Sequence, residues 1–236
     1  MKVLAIETST MLGGIAIMDD SQGLIAEMRL NVKSTHSERL MTTIAYTLKQ
    51  AAVSLSDIDV FGIAIGPGSF TGLRIGLSTV KGLSYATGRP IVSVPTLEAF
   101  AYNFPFSRYP VCIMLDARKK EVYTAVFKWE DDGFVRLIDE TSVRPEEFTR
   151  HSLLVTRYDN FIFAGDGVLL YRDKIMETMG ERAILASPEK MVPSPANVAY
   201  LGIKRAIKGE FSEPVSLVPF YIRKSEAEIK KVTSDE

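Results

Sequence analysis

The sequence predicts an α/β protein in which one lobe is used twice. In each half, three strand-like runs precede the first helical pattern. An acid closes the first strand of each half, Glu7 and Asp116, and aligning the two brings the turns DDSQG and EDDG within a residue or so of each other. At 236 residues there is room for two lobes of about 100 residues, each long enough to bury a core.

In chain order, VLAI (3–6) is a short apolar run, GGIAIMD (13–19) a second, and LIAEMRL (24–30) alternates, which reads as two hairpins in series. Thr35 and Glu38 then form a capping box, each side chain reaching an orphan backbone N–H at a helix start. Leu40, Ile44, Leu48 and Ala51 follow at helical spacing, so the first helix is placed at 35–54. VFGIAIG (60–66) is a buried strand, and a helix over 70–87 is stopped by Gly88 and Pro90. The strand IVSV and a helix from Thr96 close the first lobe, 1–107. The second lobe, 108–236, opens with VCIMLDAR (111–118), EVYTAVFKW (121–129) and FVRLIDE (134–140). Strand–strand–strand–helix–strand–helix, duplicated, resembles the plan of the actin-like ATPases and their ribonuclease H-like relatives. The duplication comes from the sequence pattern and the fold name from the resemblance.

Composition narrows the function. With 46% hydrophobic residues, 24% charged residues and a formal net charge of -1, the chain lacks the basic excess of an unaided nucleic-acid binder. The single cysteine, Cys112, excludes an internal disulfide and a multi-cysteine zinc site, and its apolar surroundings VCIML mark it as core. MKVLAIE meets an acid at its seventh residue, too early for a signal-peptide apolar region, and no apolar run approaches the ~20 residues that span a membrane. A cytoplasmic protein is expected, with no membrane contact.

GPGSFTGLRIG (66–76) offers glycines where unusual dihedrals are needed and Ser69 as an N-cap, so the first turn of the next helix has free N–H groups for an anion. The alternative is a strand-to-helix turn with a cap. No GK[ST] follows, which excludes a Walker loop, and the later glycines fall inside the helix, which excludes the dinucleotide fingerprint. That helix has two apolar sides: Leu73, Leu77 and Val80 on one, Ile75, Thr79, Gly82 and Ala86 nearly opposite, with Arg74, Ser78, Lys81 and Tyr85 between. A helix lying on a sheet needs one such side, so the other either awaits a partner or is covered by the same chain.

The acids Glu7 and Asp116 stand where a phosphoryl-transfer enzyme of this architecture would hold Mg²⁺ and orient water, or else they cap the next turn. Thr8 and Ser9 follow the first acid. The second is followed by Arg118, Lys119 and Lys120, too long and charged for a snug nucleotide loop. With only His36 and His151 there is no HxxxH pair, and no G-x-S-x-G elbow is present. No metal centre and no cofactor are expected.

Together, LAIETST, STHSERL, GPGSFTGLRIG, LDARKKEVY, GDG and PFYIRKSEAE resemble the bacterial TsaB family, also called YeaZ, over nearly the whole chain. The resemblance implies the duplicated actin-like fold and a noncatalytic subunit for making N6-threonylcarbamoyladenosine at position 37 of tRNAs that read codons starting with A. It also implies a heterodimer with the catalytic subunit TsaD, whose metal-binding histidine pair is missing here. The ATPase TsaE would join through the TsaB–TsaD pair, tRNA would be met through the complex, and the chain alone would form a homodimer. Carried over, the interface residues are His36, Leu40, Thr43, Ile44 and Thr47 of the first helix with Phe70, Leu73, Arg74, Leu77 and Lys81 of the second. The family commonly has a proline just after HSE-x-L; Met41 and Thr42 stand there instead, which loosens the first turn. Tyr221 and Arg223 start a segment that returns toward the first lobe, and the remainder, EIKKVTSDE, reads as solvated. The other function weighed is an actin-like-fold ATPase or small-molecule kinase using a vestigial nucleotide cleft of Glu7, Thr8, Ser9, Asp116 and Arg118. A peptidase has no histidine pair to support it.

Overall fold

A computed structural model describes residues 1–30, 36–156 and 158–223, with the backbone alone at 36–38 and 154–155. Strands β1 (Lys2–Glu7), β2 (Gly13–Asp19) and β3 (Gly23–Leu30) form an antiparallel meander. Helix α1 (His36–Gln50) leads to β4 (Val60–Ala64), parallel to β1, and α2 (Phe70–Thr87) leads to β5 (Ile91–Val94), parallel to β4. The strand order is β3-β2-β1-β4-β5.

The second half repeats it. Strands β6 (Val111–Asp116), β7 (Val122–Glu130) and β8 (Gly133–Val143) form the second meander, and after α4 (Pro145–Val155) come β9 (Phe161–Ala164), α5 (Asp166–Leu170), α6 (Arg172–Met179) and β10 (Ala183–Leu185). Their order, β10-β9-β6-β7-β8, is the first order read from the other end. This is the duplicated actin-like, ribonuclease H-like fold. Parallel strands need a crossover, and the right-handed helical crossover is the one that packs back on the sheet.

The two helices that close the halves are exchanged. Helix α3 (Thr96–Ala101) places Leu97, Phe100 and Ala101 in the core of the second sheet. Helix α7 (Pro195–Ile207) packs across β1, β2, β4 and β5 of the first, burying Val198, Ala199 and Leu201 against Val3, Ala5, Val60 and Val94. The other face of the first sheet carries α1 and α2, with Leu40, Ile44, Leu48, Leu77, Val80 and Leu83 over Ile6, Ile15, Phe61 and Ile63. Cys112 is core, its thiol pushed up to about 12 by burial.

Local chemistry sets the helix limits. Helix α1 ends at Gln50, short of 54, because Ala52 turns left-handed (φ 52) and Val53 donates back to the Leu48 carbonyl at 3.0 Å. The Thr35–Glu38 capping box and the EIKKVTSDE tail lie outside the described residues. Ser69 caps α2, its Oγ accepting from the Gly72 N–H at 3.3 Å, and Gly88 ends it at φ 70.

Candidate functional site

At the base of the candidate site two turns grip each other. Glu7, Thr8 and Ser9 leave β1 wholly enclosed, and the Glu7 Oε1 accepts from the Ser9 N–H at 2.6 Å. The Ser9 carbonyl in turn accepts from the Ser69 N–H at 2.6 Å. Gly68 is required by this approach, since a Cβ there would run into the Ser9 carbonyl oxygen. About two turns into α2, a Cβ on Gly76 would meet the Thr8 hydroxyl. The Ser9 carbonyl thus takes the Ser69 N–H, one of the donors that an anion before α2 would use. GPGSFTG is a turn that aims α2, with the Ser69 N–H held by the Ser9 carbonyl, the Gly72 N–H by the Ser69 hydroxyl and the Leu73 N–H by the Ser69 carbonyl.

Helices α1 and α2 lie side by side on the first sheet. Of the interface residues carried over, Leu40, Ile44, Thr47, Leu73 and Leu77 are buried within this chain at 1–6% exposure. Thr43 is half-buried, and the His36 side chain lies outside the described residues. The surface that these helices turn to water is the opposite one: Met41, Thr42 and Tyr46 on α1, Ser78, Gly82, Tyr85 and Ala86 on α2. Met41 (54%), Tyr46 (51%) and Tyr85 (94%) are its large apolar members, and a Cβ on Gly82 would meet open space. The leucines went to the sheet because they bury more apolar area than the small residues of the other side.

Phe70, Arg74 and Lys81 are engaged by the chain's own C-terminal segment. Ser212 donates to the Ile91 carbonyl beside β5, and the Lys81 ammonium reaches the Val215 carbonyl at 3.5 Å. Phe220 donates its N–H to the Ile65 carbonyl at 2.7 Å. Tyr221 stacks on Phe70 with centroids 5.1 Å apart, and its hydroxyl accepts from Arg74 Nε at 2.9 Å. The Arg74 guanidinium lies 3.8 Å over the Phe70 ring. Two residues on, Arg223 pairs with Glu121 of the second lobe at 2.7 Å. The segment thus straps one lobe to the other. Sequence reasoning placed its start near the first lobe but gave no sign of the anchor at Glu121, which is too distant in sequence for any periodicity to register.

The nucleotide residues are divided between a sealed turn and an exposed, charged one. Burial pushes the Glu7 carboxyl up to about 7, and its Oε2, the Thr8 hydroxyl and the Ser9 hydroxyl are enclosed without hydrogen-bond partners. Asp116 accepts from the Arg118 N–H at 2.9 Å and pairs with the Arg118 guanidinium at 3.0 Å, while its own N–H is held by Asp166. Arg118, Lys119 and Lys120 are exposed on left-handed backbone (φ 54 to 63). Between the lobes, Thr10, Met11, Leu12, Leu115, Asp166 and Met191 line a cavity of about 90 Å³, well under the ~300 Å³ at which small-molecule sites begin. Among the described residues no three His, Cys, Asp or Glu gather as metal ligands, and no helix is long and apolar enough to cross a membrane.

Comparison with known proteins adds relatives to this geometry. The sequence model of the family described as TsaD, tRNA N6-adenosine threonylcarbamoyltransferase, matches residues 24–231. The tRNA threonylcarbamoyladenosine biosynthesis protein TsaB of Bacillus subtilis is 29% identical over 99% of this chain and 99% of its own length. The protein of the same description from Escherichia coli is 27% identical over 92% and 94%. The solved structure of YeaZ from Pseudomonas aeruginosa superposes with a TM-score of 0.79 at 25% identity, covering 93% of this chain and 99% of that one.

Proposed function

The chain belongs to the TsaB (YeaZ) family, within the wider family of the tRNA N6-adenosine threonylcarbamoyltransferases, and from that membership we propose that it is a noncatalytic subunit for N6-threonylcarbamoyladenosine synthesis. On this reading it pairs with a TsaD-type subunit and enables transfer of the threonylcarbamoyl group to adenine 37 of tRNAs that read codons starting with A. The observation that carries the pairing is the outer side of α1 and α2, where Met41, Tyr46 and Tyr85 stand exposed beside small residues. Large exposed apolar side chains rimmed by polar ones mark protein contacts. Small residues such as Ser78, Gly82 and Ala86 let a second pair of helices approach closely.

The same side would serve a homodimer of the lone chain, and the TsaE-type ATPase would engage the pair. An ATPase or kinase is disfavoured, because Glu7 is sealed, Asp116 is held by Arg118, and the inter-lobe cavity is too small for a nucleotide.

The test mixes the chain with the TsaD-type protein of the same source, measures assembled mass by light scattering, and assays modified nucleoside by mass spectrometry. Gly82→Arg and Tyr46→Arg put charge on the outer side without touching the core. The expected result is a heterodimer that modifies tRNA with wild type and neither property with the variants. Normal assembly by both variants would remove the surface from consideration; modification by TsaD alone would remove the function.

A further inference from the structure

Across the first sheet, α1 lies over β2 and β3, α2 over β4, and the C-terminal strap reaches β5 at Ile91, so the three elements stand side by side. The strap has a built seat. Ser212 donates to the Ile91 carbonyl and to the Ser93 hydroxyl, and Leu217 packs against the core that α1 and α2 form with the sheet. Gly66 is glycine because a Cβ there would run into the Phe220 carbonyl oxygen. The side that the strap turns to water is apolar: Val215 (87%), Val218 (66%) and Phe220 (41%). Val215 stands in a turn closed by the Leu217 N–H on the Glu213 carbonyl at 3.0 Å, where glycine, asparagine, aspartate or serine is usual. Its carbonyl is reached by Lys81, and the 94%-exposed Tyr85 follows about one turn later on the same strip of α2. The apolar side of the strap thus continues the outer side of α1 and α2.

We propose that the TsaD-type subunit that grips the outer side of α1 and α2 also rests on Val215 and Val218, so that on this flank it meets the strap in place of Phe70, Arg74 and Lys81. The inference rests on the pairing proposed above and adds a third element to its surface. Contiguous exposed apolar side chains mark protein contacts, and these adjoin the ones already assigned to that partner. The strap serves as a contact and is not a cover to be pushed aside. Displacing it would strip Phe70 of its stack with Tyr221, leave the Ile65 carbonyl and Arg74 without their partners, and break the Arg223–Glu121 pair. The partner's matching face is therefore apolar, opposite Val215 and Val218.

The test titrates the full chain with the TsaD-type protein of the same source by calorimetry, comparing wild type, Gly82→Arg and the double variant Val215→Asp with Val218→Asp. The expected result is a complex that the double variant weakens at least tenfold, about 1.4 kcal/mol, while its own melting temperature stays that of wild type. Should the double variant fail to fold, Val215→Asp alone is read, since that side chain is almost wholly in water. Loss of affinity in Gly82→Arg with none in the strap variants overturns this proposal and leaves the pairing standing. Tighter binding by the strap variants also overturns it, because the strap would then be a cover that the partner displaces. So does a loss confined to self-association of the lone chain, measured by light scattering, which would assign the strap to a second copy. No complex with wild type removes the pairing and this inference together.

Discussion

Glu7 ends β1 with its carboxyl closed off from water, and this has a measurable consequence in pH. Its folded pKa, about 7, stands above the ordinary 4.5 because burial disfavours the charged form. Between those values the folded state holds a proton that the unfolded state has released. The stabilisation is therefore complete below about 4.5 and is lost as pH rises through about 7, flat beyond. In Glu7→Gln that dependence disappears. Urea unfolding at pH 5 and pH 8 should show wild type losing on the order of 3 kcal/mol relative to Glu7→Gln across the interval; parallel profiles would mean that the carboxyl titrates normally. The sequence showed an acid at a strand end but not its burial, because the residues that close on the turn after it, Gly68 on Ser9 and Gly76 on Thr8, come some 60 positions later and act by having no side chain.

Helix α2 shows how one substitution can act in opposite directions along a single element. Gly82 faces open space, so Gly82→Ala should raise stability by about 0.5–1 kcal/mol, the usual helix-interior gain. Gly76 lies against the Thr8 hydroxyl, so Gly76→Ala should lower it by about 1–3 kcal/mol, as overpacking does. Thermal unfolding of the two variants checks both signs, and equal shifts would show that Thr8 moves aside freely. The existence and length of α2 were legible, since Ser69, the apolar repeats and Gly88 are local signals. Which apolar side meets the sheet was not. Periodicity shows that Leu73 and Ile75 lie on different sides, but only the volume left between sheet and helix decides that the leucines go in. Arg74 and Lys81 were likewise legible as part of the strip between the two apolar sides, while their cover, the strap at Val215–Tyr221, depends on contacts across more than 130 residues.

At the scale of the molecule, the duplication was written in the strand order and the two acids, but the exchange of α3 and α7 was not, because an amphipathic helix carries no label for the sheet it will cover. A fragment of residues 1–107 keeps the first sheet yet lacks α7, leaving Val3, Ala5, Val60, Val92 and Val94 uncovered. It should bind a hydrophobic dye and melt without a cooperative transition. Joining residues 195–223 through a flexible linker to a chain ending at 95 should restore the transition. Cooperative melting of 1–107 by itself would show that the lobe needs no helix from the other half.

The exchange also orders events in time. A chain leaves the ribosome from its N-terminus at ~5–20 residues per second, and most domains close as soon as they emerge. Here the sheet that bears α1 and α2 waits, one side bare, until residues 195–207 have been made, about 100 residues after its own last strand. The surface that a partner subunit would grip is thus backed by a finished lobe only once α7 has been made, and a polypeptide cut short before it has no completed lobe to offer.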